Sequence, residues 1–152
     1  MHPDLVPLAF LLGTWEGRGE GGYPTIEPFS YLEVVTFSHV GKPFLAYQQR
    51  TRHPQTEVPM HAETGYWRPV GERGLEVLLA HPTGVVEVYE GTVDGTRIEV
   101  RTTSVTCTRT AKDVRALTRS IEVEGDTLRY DLAMAAVGQP LTHHLHAELH
   151  RR

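Results

Sequence analysis

The chain has 152 residues, which suits one domain with a substantial core. Hydrophobic residues make up 39%, charged residues 22% and the formal net charge is −4, so the composition indicates neither a membrane protein nor a nucleic-acid-binding protein. The sequence has one cysteine, Cys107, which excludes an internal disulfide and a thiolate metal cluster. Because the first residues also lack the pattern of a signal peptide, we expect a cytoplasmic protein.

The N-terminal region predicts a short helical segment and then a glycine-rich strand. Leu5 to Leu12 is apolar but contains Pro7, so we expect at most one or two helical turns. In the stretch from Gly13 to Gly19, glycines recur at every second position around Trp15. We expect the glycines on one face of the strand and Trp15 on the other. Strand glycines of this kind indicate a barrel corner over a core tryptophan, or a group that approaches the backbone closely.

The rest of the chain predicts one strand after another, joined by tight turns. Polar and apolar residues alternate in most segments, and no ten-residue amphipathic helix separates them, which favours an antiparallel meander. We therefore predict an all-β fold over residues 1–152: one closed, up-and-down antiparallel β-barrel of about ten strands, like lipocalins and fatty-acid-binding proteins, with a cavity for one small ligand. After the first strand the predicted segments are 31–37, 44–50, 61–68, 74–80, 84–91, 97–103, 120–124, 127–134 and 141–149.

The last predicted strand carries the densest group of chemically active side chains. Four of the nine histidines lie between His143 and His150. His144 and His146 are spaced to share a face of a strand, and with a third group they would bind a divalent metal. The alternative is a solvated outer face, because the alternate positions, Leu145 and Ala147 among them, are apolar.

Several segments together resemble the nitrobindin family. The stretch Gly13 to Gly19, followed by Tyr23-Pro24-Thr25-Ile26, is similar to the GxWxGxG signature of these proteins. The similarity extends in order over nearly the whole chain. It continues in the segments 40–45, 63–68, 80–82, 110–114 and 136–141 and in the terminal histidine-rich strand.

The resemblance implies a small barrel that holds one haem b per chain, bound near the barrel mouth by an iron–histidine bond. By position the iron ligand is His144, whereas strict alternation along the strand puts His143 on the apolar face. A bulge after Pro140 would bring His144 inward, so we predict His144 and keep His143 as the rival. The other haem contacts that the resemblance implies are Met60 and His61 on the distal side, Met134 in the pocket, Lys112 near a propionate, and Thr25.

The implied activity is isomerisation of peroxynitrite to nitrate at ferric haem, with nitric oxide as a ligand of ferrous haem. The distal side is then expected to be apolar and neutral apart from His61. The resemblance leaves open whether the chain forms a homodimer. Two alternatives stand beside it: a haem-free carrier of a small hydrophobic ligand, which predicts a basic residue in the cavity, and the divalent-metal site described above.

Overall fold

The strands of the chain form a single closed barrel. The computed structural model describes all residues from Met1 to Arg152. A 3₁₀ helix, Pro3–Leu11, precedes ten strands. The strands are β1 (Gly13–Tyr23), β2 (Ile26–Ser38), β3 (Leu45–Arg52), β4 (Pro59–Val70), β5 (Gly74–His81), β6 (Val85–Asp94), β7 (Arg97–Cys107), β8 (Val114–Glu124), β9 (Thr127–Ala136) and β10 (Thr142–Arg151).

Each strand pairs with its neighbours in sequence, and the first strand pairs with the last. The order around the barrel is β1-β10-β9-β8-β7-β6-β5-β4-β3-β2, and every pairing is antiparallel. Closure leaves no free sheet edge, as the sequence predicted. Antiparallel alternation brings the starts of all even-numbered strands to one end of the barrel. We call this end the mouth; its connections are residues 24–25, 53–58, 82–84, 108–113 and 137–141.

The N-terminal helix closes the end opposite the mouth. Its side chains Leu5, Leu8 and Leu11 are fully buried in the barrel core. The indole Nε1 of Trp15 donates a hydrogen bond of 2.8 Å to the carbonyl of Leu11, which joins the helix to β1. The helix spans nine residues, about three 3₁₀ turns, and is longer than predicted. Pro7 does not end it, because three apolar side chains anchor it in the core.

The prediction that Trp15 points away from the glycines is wrong. Trp15, Gly17 and Gly19 are separated by two residues each and therefore share the inward face of β1, with Trp15 fully buried. The glycines instead allow close approach. A Cβ at Gly17 would lie 2.1 Å from the carbonyl oxygen of Glu148 on β10, and one at Gly19 would lie 2.1 Å from the ring of Tyr31. The expectation of something close to the backbone is confirmed.

The apolar core includes the buried leucines of the helix and continues along the walls of the barrel. A single cluster of 24 buried residues includes Trp15, Trp67 and Phe37. The rings of Phe37 and Trp67 pack nearly at right angles, with 5.2 Å between centroids. This packing fills one end and leaves the space at the mouth for a ligand. None of the structure's helices has the length and hydropathy needed to cross a bilayer.

Candidate haem site

The barrel holds a cavity of about 510 Å³ at its mouth. Of its 29 lining residues 18 are hydrophobic, so a largely apolar ligand can be accommodated. Four of the polar lining residues, His61, Glu63, His81 and Glu87, lie on the neighbouring strands β4, β5 and β6, and the others are distributed over β2, β3, β8, β10 and the connections at the mouth. The cavity thus has an apolar volume with a small number of placed polar groups.

His144 projects into this cavity from β10. Its Nδ1 lies 2.9 Å from the carbonyl oxygen of Gly22 on β1. Because a carbonyl only accepts, Nδ1 carries the proton, and Nε2 is left with a free lone pair. The ring is held edge-on by Tyr23 and Phe29, at centroid distances of 5.4 and 6.3 Å. This is the arrangement in which metal-bound histidines occur, with the second nitrogen donating to a carbonyl.

The imidazole of His144 is also kept in its neutral form. Burial lowers its pKa from the ordinary 6.5, and the nearby His143 acts in the same direction, while the hydrogen bond to Gly22 opposes them. A neutral imidazole is the form that binds iron.

A bulge in β10 turns His144 inward, as the sequence hypothesis required. The register with β9 shifts between His143, which pairs with Ala133, and Leu145, which pairs with Leu132. His143 therefore points outward, where its Nε2 lies 3.1 Å from Asp131. His146 also points outward and contacts the same oxygen of Asp131 at 3.0 Å.

The alternative of a divalent-metal site on His144 and His146 is therefore wrong. Without a bulge, residues two apart in a strand share a face. Here the extra residue of the bulge places the two imidazoles on opposite sides of the barrel wall. Counting along the sequence could not reveal the shift.

The structure brings most of the other predicted haem contacts into the same cavity. Met60, His61, Met134 and Lys112 all line it. Lys112 is exposed in the connection between β7 and β8, so its ammonium group lies at the mouth. Thr25 does not line the cavity: it is exposed in the turn between β1 and β2.

A buried charged network crosses the cavity floor, and sequence analysis missed it. Arg119 makes a two-pronged contact with Glu63, at 2.8 Å from Nη1 to Oε1 and 2.9 Å from Nη2 to Oε2. Its Nε donates to the hydroxyl of Tyr89 at 2.9 Å, and Tyr89 donates to Glu87 at 2.7 Å. Burial raises the pKa of Glu63, but Arg119 outweighs it and holds that pKa at about 2. Glu63 is therefore ionised beside a charged Arg119.

A second buried carboxyl group behaves in the opposite way. Glu33 accepts hydrogen bonds from Gln49 at 2.6 Å and from Tyr130 at 2.8 Å but forms no ion pair. Burial raises its pKa to about 7, although both hydrogen bonds act to lower it. Glu33 therefore has a pKa of about 7, against about 2 for Glu63, the carboxylate paired with Arg119.

The sequence did contain a signal for these residues. In β2, Glu33 shares the inward face with Tyr31, Val35 and Phe37, and in β6 Glu87 shares it with Val85 and Tyr89. A charged residue at an inward position is rare without a partner and so marks a buried polar network. The sequence does not show which partners meet across the barrel.

The distal wall of the cavity also contains polar groups that the sequence analysis did not predict. His61 lies in the cavity as expected, but His81 at the end of β5 lies beside it, with Nε2 of His61 3.0 Å from Nδ1 of His81. The far nitrogen of His81 lies 2.8 Å from Glu87. The expectation of a distal side without charge apart from His61 is thus wrong.

The cavity and His144 together suit haem. An apolar space receives the flat macrocycle, a neutral imidazole offers a lone pair for iron, and an exposed lysine stands at the mouth where carboxylates would meet water. These features define a haem-protein barrel as the class to which the site belongs.

Comparison with known proteins agrees with this class. The family model described as "THAP4-like, heme-binding beta-barrel domain" matches residues 4–151. "Peroxynitrite isomerase 2" of Mycobacterium avium is 58% identical over all of this chain and 97% of its own length. "Peroxynitrite isomerase" of Nocardia farcinica is 54% identical over 99% of this chain and 92% of its own length.

A solved structure shows the same fold. The crystal structure of Rv2717c from M. tuberculosis aligns with a TM-score of 0.95 at 50% identity, covering 100% of this chain and 99% of that one. The chain belongs to the THAP4-like, haem-binding β-barrel family, and the resemblance to nitrobindins is confirmed.

Proposed function

We propose that this protein is a haem-dependent isomerase that converts peroxynitrite to nitrate. The observation that carries the proposal is His144: a neutral imidazole, fixed by Gly22, presents its free nitrogen to an apolar cavity in a chain of the haem-binding family. The names of the curated relatives, with identities of 54–58% over nearly their full length, support the reaction.

In this proposal each residue has a physical role. His144 binds the iron through Nε2, while Gly22, Tyr23 and Phe29 fix the orientation of its ring. Lys112 offers a charge and hydrogen-bond donors to a propionate at the mouth. When bound, ferric haem supplies a Lewis-acidic sixth position at which peroxynitrite can rearrange to nitrate.

Met60, His61 and Met134 line the space in which that small ligand would be held. The methionines exclude water, and His61 is the candidate for a hydrogen bond to the ligand. Burial lowers the pKa of His61, so it is a neutral group at physiological pH. The finer parts of the proposal are haem b as the cofactor, one haem per chain, nitric oxide as a ligand of the ferrous protein, and a cytoplasmic location.

The carrier alternative requires a basic residue that is free to meet an acidic ligand. Arg119 is a basic residue inside the cavity. However, each of its three guanidinium nitrogens already faces Glu63, Glu87 or Tyr89. A ligand carboxylate would have to displace one of these partners, so Arg119 does not favour the carrier.

Stopped-flow measurement of peroxynitrite decay tests the proposed function. We expect the ferric protein to accelerate decay, to raise the yield of nitrate, and to protect free tyrosine from nitration. Cyanide, which occupies the sixth position of ferric haem, should suppress all three effects. Equal acceleration by the haem-free protein or by the cyanide-saturated protein would exclude the iron as the catalyst.

A further inference from the structure

Three potential metal ligands converge on the wall of the cavity that faces His144. They are His61 on β4, Glu63 on β4 and His81 on β5, and one ligand atom of each lies within 4.8 Å of those of the other two. In the strand order β5 is five strands from β10 in either direction, so it lies on the opposite side of the barrel. The cluster is therefore separate from the iron ligand proposed above.

We propose that Nε2 of His61, Nδ1 of His81 and a carboxylate oxygen of Glu63 form a binding site for a divalent transition-metal ion such as Zn²⁺. A site of two histidines and one carboxylate with a fourth position open to the cavity has the donor set of many catalytic zinc sites. The proposal does not depend on haem binding.

Two of the three distances between the ligand atoms are close to those of tetrahedral coordination, and the third, between His61 and Glu63, is within 4.8 Å. Metal–ligand bonds of about 2.0–2.1 Å place neighbouring donors of a tetrahedron about 3.3 Å apart. Nε2 of His61 is 3.0 Å from Nδ1 of His81, and this Nδ1 is 3.5 Å from Oε2 of Glu63. An ion could thus enter with small side-chain movements.

The surroundings supply the charge and the orientation that such a site needs. Glu63 and Glu87 are both ionised: burial raises their pKa values, but in each case nearby cations and hydrogen bonds outweigh it. With one positive charge from Arg119, these groups carry a net charge of about −1, which attracts a cation. Burial keeps His61 neutral and able to bind a metal.

Glu87 completes the arrangement behind His81. Its Oε1 lies 2.8 Å from Nε2 of His81, on the side of the ring away from His61. The angle at this nitrogen does not meet hydrogen-bond geometry, but a small turn of the ring would let Glu87 accept from Nε2 and orient the imidazole. Glu63 is held in turn by Tyr47 at 2.8 Å and by Arg119.

Titration of the haem-free full-length chain with Co²⁺ and Zn²⁺ tests the site. We expect about one Co²⁺ per chain, the intense visible bands of tetrahedral cobalt, and displacement by Zn²⁺. His61→Ala and His81→Ala should each weaken binding by at least about 100-fold, and Glu87→Gln by about 10- to 100-fold. Circular dichroism and thermal unfolding establish that each variant is folded. Of the two histidine variants, His61→Ala is expected to disturb the fold less, because His61 is partly exposed.

Two controls locate the binding. The double variant His143→Ala/His146→Ala removes the imidazoles beside Asp131 on the outer wall. His144→Ala removes the proposed iron ligand. Both should bind Co²⁺ like the wild type. The inference fails if the wild type shows no saturable tetrahedral Co²⁺ signal, in which case the imidazoles only share a proton. It also fails if folded His61→Ala binds Co²⁺ like the wild type, or if either control loses the binding.

Discussion

Replacing Arg119 by Met should be the most damaging single change in the cavity floor. The substitution keeps much of the side-chain volume but removes the cation that faces Glu63 at 2.8 and 2.9 Å and Glu87 at 3.4 Å. Breaking a buried ion pair on one side costs about 3–5 kcal/mol, because the remaining charge is left unpaired. For a chain of this length that loss lowers Tm by roughly 6–20 °C.

The pH dependence distinguishes this cause from a simple packing defect. In the wild type the pKa of Glu63 is about 2, below its ordinary value of 4.5, so the ionised form stabilises the fold above the unfolded pKa and this stability is lost as pH falls towards 2. In the variant burial still raises the pKa of Glu63 and the strongest opposing influence, Arg119, is gone, so Glu63 takes up a proton more easily even though Tyr47 and His81 remain beside it. The stability gap should therefore be largest near neutral pH, narrow as pH falls below about 4.5 and be smallest near pH 2.

Urea unfolding followed by tryptophan fluorescence measures the gap at each pH. Arg129→Met is the matched control, since Arg129 is 45% exposed and pairs with Glu148 at 3.0 Å on the outer wall. It should cost no more than about 1 kcal/mol. Adding Glu63→Gln to Arg119→Met should recover part of the loss. If Arg119→Met costs no more than Arg129→Met, or if its cost is the same at every pH, the buried network does not stabilise the fold as described.

Two further predictions concern the haem ligand and the glycine strand. Haem affinity should fall on acidification as His144 takes up a proton. Because burial lowers the pKa of His144, the pH at which half of the haem binding is lost in a hemin titration should lie below 6.5. A midpoint at or above pH 6.5 would contradict the buried, neutral imidazole. Gly17→Ala should lower the free energy of unfolding by about 1–3 kcal/mol, because its Cβ would meet the Glu148 carbonyl at 2.1 Å. Gly22→Ala, where the nearest atom is 3.9 Å away, should cost less, and equal losses would refute the close-approach argument.

Much of the fold could be predicted from the sequence, because alternation and turn residues are local signals. The ten strands, their antiparallel order and closure followed from segments such as 97–103 and 127–134, which alternate clearly. The length of the N-terminal helix did not, because Pro7 argues against a helix and only the packing of Leu5, Leu8 and Leu11 into the barrel overrides it.

The site was predictable only in part. His144 was chosen over His143 on the strength of the family resemblance, and the bulge that makes this choice physically reasonable is present in β10. The Arg119–Glu63 pair joins residues 56 positions apart, on strands whose inward faces meet only after closure. No local pattern contains that information, so charged residues at inward positions could be noticed but not paired.

The most direct test of the central claim is a hemin titration of the wild type, His144→Ala and His143→Ala, followed by the Soret band. We predict one haem per chain in the wild type and in His143→Ala, whose side chain is 60% exposed and points away from the cavity. His144→Ala should lose the band while its Tm before haem addition stays close to that of the wild type. A normal Soret band in His144→Ala, together with its loss in His143→Ala, would contradict the assignment of His144 as the iron ligand.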